Sequence, residues 1–363
     1  MLKKNALKQE EFTLVLRLIE LEEIILFKQG IIGYKDKLEA LEEQRRDITN
    51  IIQNLNKYHI MRQEVRELQF SKHLFDNDME LLRVFKNRYF IKNIEHCMSN
   101  RAMEHWYYIN VLTSYLESDF EAGLKTSHDY VNFINKNTHL FDSTQILPAL
   151  SNYIYHAALS KNEVNFAHGQ GLLEDLSNKK GFPKFYIKYI LYTRQLEFAY
   201  HTKNLKLMKD YLTLAIGLVE NNSDQFEESQ IQYLHLTIVK SCLILKEYSL
   251  GMRYSNRWHQ IGVSHYDKVQ ARLLSIILHY EVNYEELIQS EIITLKKLIK
   301  TSEREKDLIN SFYIFFNSMI KHPERRIVLI TNLQNELKSI SKIKSASSSF
   351  IYFDYYQWSL QLK

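Results

Sequence analysis

Four groups of residues in this sequence have types and spacings that could do chemistry. Glu117, Asp119, Glu121 and Lys125 bring three carboxylates and an amine together, the content of a metal-dependent nuclease cluster. They fall where one amphipathic run stops and another begins. There Asp119 reads as a helix N-cap and the glutamates as partners of the positive helix end. Gly169-Gln170-Gly171 has the glycines of a phosphate-gripping turn but lacks the preceding strand that a dinucleotide loop needs, so it reads as a helix or helix-end feature. His156, His168 and His201 lie in separate helical runs and form no ligand set. No HExxH, CxxC pair, GxSxG or Walker sequence occurs. No catalytic residue, metal site or cofactor is expected, and the chain reads as a non-enzyme. The fourth group is electrostatic. Residues 294–344 carry eleven Lys/Arg, among them Lys296, Lys297, Lys300, Arg325 and Arg326, against five Asp/Glu. Such a run is a solvated helix face or, as an alternative, a surface for an anionic partner.

The elements that must position these residues are helices. Across 363 residues there are only 9 Gly and 3 Pro, too few turn formers for a sheet-rich fold. With 45% apolar and 25% charged residues the chain has the balance of a soluble globular protein, neither disordered nor membrane-embedded. The 24 Tyr and 19 Phe recur at helical spacing and read mainly as core fillers. A net charge of +4 falls short of a dedicated nucleic-acid binder. Cys97 and Cys242, far apart within helical patterns, fit reduced thiols in the cytoplasm. The opening MLKKNALKQEEF meets acidic residues before any apolar export region develops, and no apolar run reaches 18 residues, so neither export nor a membrane span is expected.

The stretch His105 to Asn135 sets the architecture. Trp106, Ile109, Leu112 and Leu116 share one helical face; Phe120, Leu124, Val131 and Ile134 share another, with Ser118-Asp119 between the two runs. Further short polar junctions stand at Lys161-Asn162, Lys203-Asn204, Glu247 and Asn283, roughly forty residues apart, which predicts repeated helical hairpins. Gly123 and Gly251 each follow an aromatic by three positions, where a missing side chain lets paired helices approach. Pro148, Pro183 and Pro323 are expected at helix starts, none interrupting a helix. Upstream, residues 10–28 are apolar around most of the circumference and predict a buried helix. Gly30 and Gly33 bracket a turn. Tyr34, Leu38, Leu41, Arg45, Ile48, Ile52 and Leu55 form a coiled-coil-like seam that steps by three to Tyr58 and Met61 in a helix running to about Lys72. Phe75-Asp76-Asn77-Asp78 is expected to cap a helix from Met79 to about Ser99. Ser347 to Ser349 precede a final short helix rich in aromatics, expected to cover the last hairpin.

The buried opening helix with Leu21-Glu22, the long helix with Leu55-Asn56-Lys57-Tyr58, Trp106-Tyr107-Tyr108 followed by Asp119-Phe120, and Phe353-Asp354-Tyr355-Tyr356-Gln357-Trp358 carry a resemblance. The chain resembles the tetratricopeptide-like (TPR-like), all-helical proteins common in Bacteroidetes over nearly its whole length. Where tetratricopeptide repeats prefer small residues, it has Val111 and Gly123, Leu196 and Met208, Val239 and Gly251, Ser275 and Leu287, so the repeats are divergent. Relatives of this type often carry further N-terminal helices, so the resemblance leaves open whether this chain is a short member. The resemblance implies an all-α, right-handed α-solenoid. Residues 1–99 are expected to form a helical region with a long coiled-coil-like hairpin, 100–345 the repeats, and 346–363 a C-terminal capping helix. It carries no activity.

In such hairpins the first helix lines the concave face. Counting back from each junction then gives Tyr115, Tyr200, His201, His279 and Tyr280, with Tyr108, Tyr233, Lys240 and Arg272 reached by the same spacing. Tyrosines with hydrogen-bonding tips suit peptide capture, and Lys240 and Arg272 could hold a carboxylate. The expected function is a cytoplasmic scaffold holding a partner's peptide or helix, with the oligomeric state left open. The alternative is a nucleic-acid-associated regulator using its basic C-terminal third.

Overall fold

A computed structural model describes residues 2–29, 34–70, 76–259, 265–300, 305–342, 350 and 353–362. It is 86% helical with no strand among the described residues, which makes the fold all-α. No helix among them is long and apolar enough to cross a membrane. The expected turn at Gly30 to Gly33, the Ser347 to Ser349 stretch before the final helix, and Phe75 of the expected cap lie outside the described residues. The chain divides into two compact units, one of residues 1–69, 82–115 and 121–153, the other of 70–81, 116–120 and 154–363.

In the first unit, α1 (Leu2–Lys8), α2 (Phe12–Gln29) and α3 (Tyr34–Phe70) share a core of Ala6, Phe12, Val15, Ile19, Leu41 and Ile48. Arg45 of α3 binds Glu23 of α2 at 2.5 Å on its edge. The seam in α3 continues through the buried Tyr58, Met61 and Val65, with the step that the spacing predicts. The expectation of a fully buried α2 is corrected. Leu14, Leu21, Ile24 and Ile25 are about half exposed and Phe27 is 76% exposed, because neighbours cover only the Phe12–Val15–Ile19 side. The helix expected from Met79 to Ser99 is also corrected. After α4 (Asp76–Lys86) the chain makes only α5 (Tyr89–Lys92) and a 3-10 turn at Ile94–His96. Side chains take up the backbone groups that a helix would pair. The Tyr58 hydroxyl donates to the Phe90 carbonyl (2.8 Å), the Trp106 indole to that of Ile91 (2.8 Å), and Asn54 bridges the His96 carbonyl and the Met98 N–H. Next come α6 (Asn100–Leu116), α7 (Phe120–Lys136) and α8 (Ser143–Leu159), whose residues from Ile154 on belong to the second unit. Pro148 lies inside α8, not at its start. Sitting early in the helix, it forfeits one backbone bond without ending it.

The second unit is a run of hairpins: α9 (Glu163–Ser177), α10 (Lys184–Thr202) with α11 (Leu205–Asn222), α12 (Glu228–Leu245) with α13 (Tyr248–His259), α14 (His265–Glu281) with α15 (Glu285–Ile299), and α16 (Lys306–Lys321) with α17 (Arg326–Ile340). Consecutive helices pack on each other. In addition α10 touches α12, α12 touches α14 and α14 touches α16, so the first helices form a row.

The junctions share one geometry. Lys161, Lys203, Lys246 and Asn283 all have φ between 54° and 61°, the left-handed conformation that ends a helix. The next residue's N–H reaches back to the helix: Asn162 to the Ala157 carbonyl (2.8 Å), Asn204 to Ala199, Glu247 to Cys242 and Tyr284 to His279 (each 2.9 Å). Asn162 and Asn204 then accept from Asn165 N and Leu207 N, so one residue closes a helix and caps the next. Gly251 marks the expected close approach, since a Cβ there would stand 2.9 Å from Leu278 Cδ2 and 3.2 Å from Cys242 Cβ. Both cysteines are buried free thiols.

Candidate functional site

Sequence spacing nominated side chains on first helices, and the second unit gathers four of them around a residue it did not nominate. Glu197 of α10 is 5% exposed. Its Oε2 accepts from Lys240 Nζ at 2.7 Å and its Oε1 from the Tyr233 hydroxyl at 3.3 Å, both from α12. Arg194, one turn earlier on α10, donates to the Tyr233 oxygen (3.1 Å) and stacks over the Tyr155 ring at 4.4 Å. Lys240 Nζ also lies 4.4 Å above the Tyr200 ring. Burial pushes the Glu197 carboxyl up, and the charges of Lys240 and Arg194 more than reverse it, holding it below the usual carboxylate range. His201 Nε2 is 3.8 Å from Glu197 Oε2, beyond hydrogen-bond reach. Burial takes its imidazole down to about 4, with Glu197 opposing, so at neutral pH the ring is uncharged.

Of the two cations expected to hold a partner's carboxylate, both hold one of the chain's own. Lys240 is 2% exposed and belongs to Glu197. Arg272 donates to Glu291 Oε1 at 2.9 Å. Glu291 is 6% exposed, its other oxygen finds no hydrogen-bond partner, and burial outweighs Arg272 to raise its carboxyl. His279 is buried beside this pair, and burial, then Arg272, lowers its imidazole. Tyr280 accepts from Arg326 at 3.1 Å. Tyr108 and Tyr115 belong to the first unit. Tyr108 lies 4.1 Å beneath the Arg62 guanidinium, and Tyr115 is half-buried near the end of α6.

A polypeptide segment lies on this row of first helices, and it is the chain's own. Phe353 and Asp354 are non-helical, with Asp354 (φ −79°, ψ 81°) in a tight turn closed by the Tyr355 N–H on the Phe353 carbonyl (2.9 Å), and Tyr355–Ser359 form α18, a shorter helix than the sequence suggests, capped where Asp354 accepts from Gln357 N. The Asp354 N–H donates to the Tyr200 hydroxyl at 2.6 Å. The Tyr355 hydroxyl donates to Gln270 Oε1 (2.5 Å), the Trp358 indole to Glu281 Oε1 (2.9 Å), and Gln334 of α17 donates to the Ser359 carbonyl (2.9 Å). Trp358 stacks on Phe312 at 5.8 Å and meets Tyr280 edge-on at 6.3 Å. The segment thus reaches past the last hairpin to α14 and α10. Phe353, Tyr355 and Trp358 are at most 6% exposed. Burying three rings stabilises by roughly 2–3 kcal/mol each and four hydrogen bonds by about 1 kcal/mol each, while ordering seven residues costs about 1–2 kcal/mol each. A net hold of a few kcal/mol at most remains.

Sequence reasoning missed Glu197, Gln270, Glu281 and Arg194. Each is a polar residue on a first helix, and its significance comes from partners elsewhere in the chain. Among the described residues no group of three or more His, Cys, Asp or Glu is placed to hold a metal. No family model, curated protein or solved structure matches the chain.

Proposed function

We propose that the chain is a protein-interaction scaffold without catalysis. It works as a right-handed α-solenoid of tetratricopeptide-like hairpins in the cytoplasm, holding a partner's peptide on the first helices of its second unit. The observation that carries this reading is the seat of Phe353 to Ser359: the row holds an irregular polypeptide segment through a tyrosine on its backbone and a glutamate on its tryptophan. Tyr200 and Tyr280 touch that segment and are half-buried, within reach of a partner, and Arg272 of α14 is half-buried as well. Lys240 and His201 pack against the Tyr200 ring. In a pull-down from the native host, Tyr200→Phe and Tyr280→Ala should lose the partner that wild type retains, each variant first shown to be folded. Full retention by both would place binding elsewhere.

A second reading rests on Lys296, Lys297, Lys300 and Arg325, all of which are exposed. A phosphate-binding surface there would shift labelled duplex DNA or RNA in a strongly salt-dependent way. Absence of a shift at low salt would discard it.

A further inference from the structure

The seat also defines the chemistry of what it takes, an inference that rests on the scaffold reading above. We infer that Phe353 to Ser359 is a resident ligand of the first-helix row, and that the partner displaces it with a segment of the same pattern: aromatics at positions one, three and six, with an acidic residue at position two.

A cap need only shield the apolar end of the last hairpin. This segment makes specific polar contacts with α10 and α14 as well as α17, the most distant joining Asp354 to Tyr200. They read the segment as a binding groove reads a peptide. Tyr200 takes the main-chain N–H at the centre of the tight turn around Asp354, which fixes the backbone there, and Glu281 takes the indole N–H. Phe312 and Tyr280 supply a stacked and an edge-on face for the indole. Asp354 starts the helical turn that sets the distance between the second and third rings. The seat is also incompletely satisfied by its present occupant. Gln270 is fully buried and its Nε2 has no hydrogen-bond partner, so an occupant offering an acceptor beside the Tyr355 position would bind it better.

Tethering gives the resident segment an effective concentration on the order of millimolar, so a free peptide competes poorly until the resident is weakened. The test uses a fluorescein-labelled peptide of residues 350–362, followed by anisotropy against full-length chains. Asp354→Pro removes the N–H that Tyr200 accepts while keeping all three rings; its φ of −79° suits proline. Tyr355→Ala with Trp358→Ala removes two rings and serves as the second variant. Either variant, with its melting transition intact, should bind the peptide at least about tenfold more tightly than wild type. A peptide lacking the tyrosine and tryptophan rings should not bind, and Gln270→Ala in the weakened chain should reduce binding. Equal binding by wild type and both folded variants, or none to either variant at about 1 mM peptide, would overturn the inference. If the peptide fails while Tyr200→Phe still abolishes partner capture, the scaffold reading survives alone. If both fail, neither stands.

Discussion

Each unit buries a glutamate on a first helix, and the two are held differently. Glu104 of α6 accepts from Arg62 at 2.8 and 3.1 Å, from the Tyr130 hydroxyl at 2.5 Å, and faces His105 Nδ1 at 2.8 Å. Glu197 of α10 has Lys240 and Tyr233. Burial pushes both carboxyls up, and their partners bring both below the usual range. The difference lies in access. The Arg62 side chain is 21% exposed and that of Lys240 only 3%. Solvent can replace part of what Arg62 gives, whereas around Lys240 little solvent is at hand, and only Tyr233, His201 and Arg194 stand beside Glu197. A buried charge is only as expensive to strand as its surroundings are dry.

The largest expected effect follows directly. Lys240→Ala should destabilise the second unit by about 3–5 kcal/mol, and Arg62→Ala the first by about 1–3 kcal/mol. Urea unfolding of the two variants checks the order, and the reverse order would break the comparison. Next, Trp358→Ala should lower stability by about 2–3 kcal/mol, less than a core tryptophan usually yields, because the segment's own net hold caps the loss. A larger loss would mean that the segment is an integral part of the core.

Protons sharpen the contrast further. His201 and His235 of the second unit both have imidazoles lowered to about 4 by burial, well below the ordinary 6.5. Well above pH 6.5 neither form of the chain protonates them and their neutral packing is intact. As pH falls from 6.5 towards 4 the unfolded chain takes up protons that the folded one refuses, so stability declines on the order of 1 kcal/mol per pH unit for each. His235 is 4% exposed with both ring nitrogens lacking hydrogen bonds, so His235→Phe should flatten the pH slope measured by urea titration between pH 7 and 5. An unchanged slope would assign the acid sensitivity elsewhere. Glu291 has the opposite sign. Its raised carboxyl favours the protonated form in the fold, so ionisation at neutral pH weakens the fold, and Glu291→Gln should raise the melting temperature slightly at pH 7 but not at pH 4. The smallest effect belongs to α2, where Leu21→Ser should change stability by less than about 0.5 kcal/mol, because Leu21 is 53% exposed.

What the sequence made legible was local. Lys161-Asn162 and Lys203-Asn204 announce helix junctions because the left-handed residue and the N-cap are neighbours in the chain. The α3 seam and the Gly251 contact were readable for the same reason. What stayed hidden depends on distant partners. Residues apolar all round cannot say which face of α2 neighbours will cover. Asn54 and Tyr58 unmake the helix expected near residues 87–99 from another helix altogether. Spacing placed Tyr200, Tyr233 and Lys240 on one face, yet it could not show that Glu197 binds two of them or that Asp354 reaches the third.

Four junctions of the second unit, those at Lys161, Lys203, Lys246 and Asn283, also decide how it yields to force. Where one residue both closes a helix and opens the next, no slack chain separates the two, and the main-chain bonds at Asn162, Asn204, Glu247 and Tyr284 lock each bend. Each of these four bends is therefore a stiff elbow. Stretching or twisting must be absorbed between elbows, where side chains slide, so the unit should respond to load as a spring whose compliance resides in the contacts from one hairpin to the next.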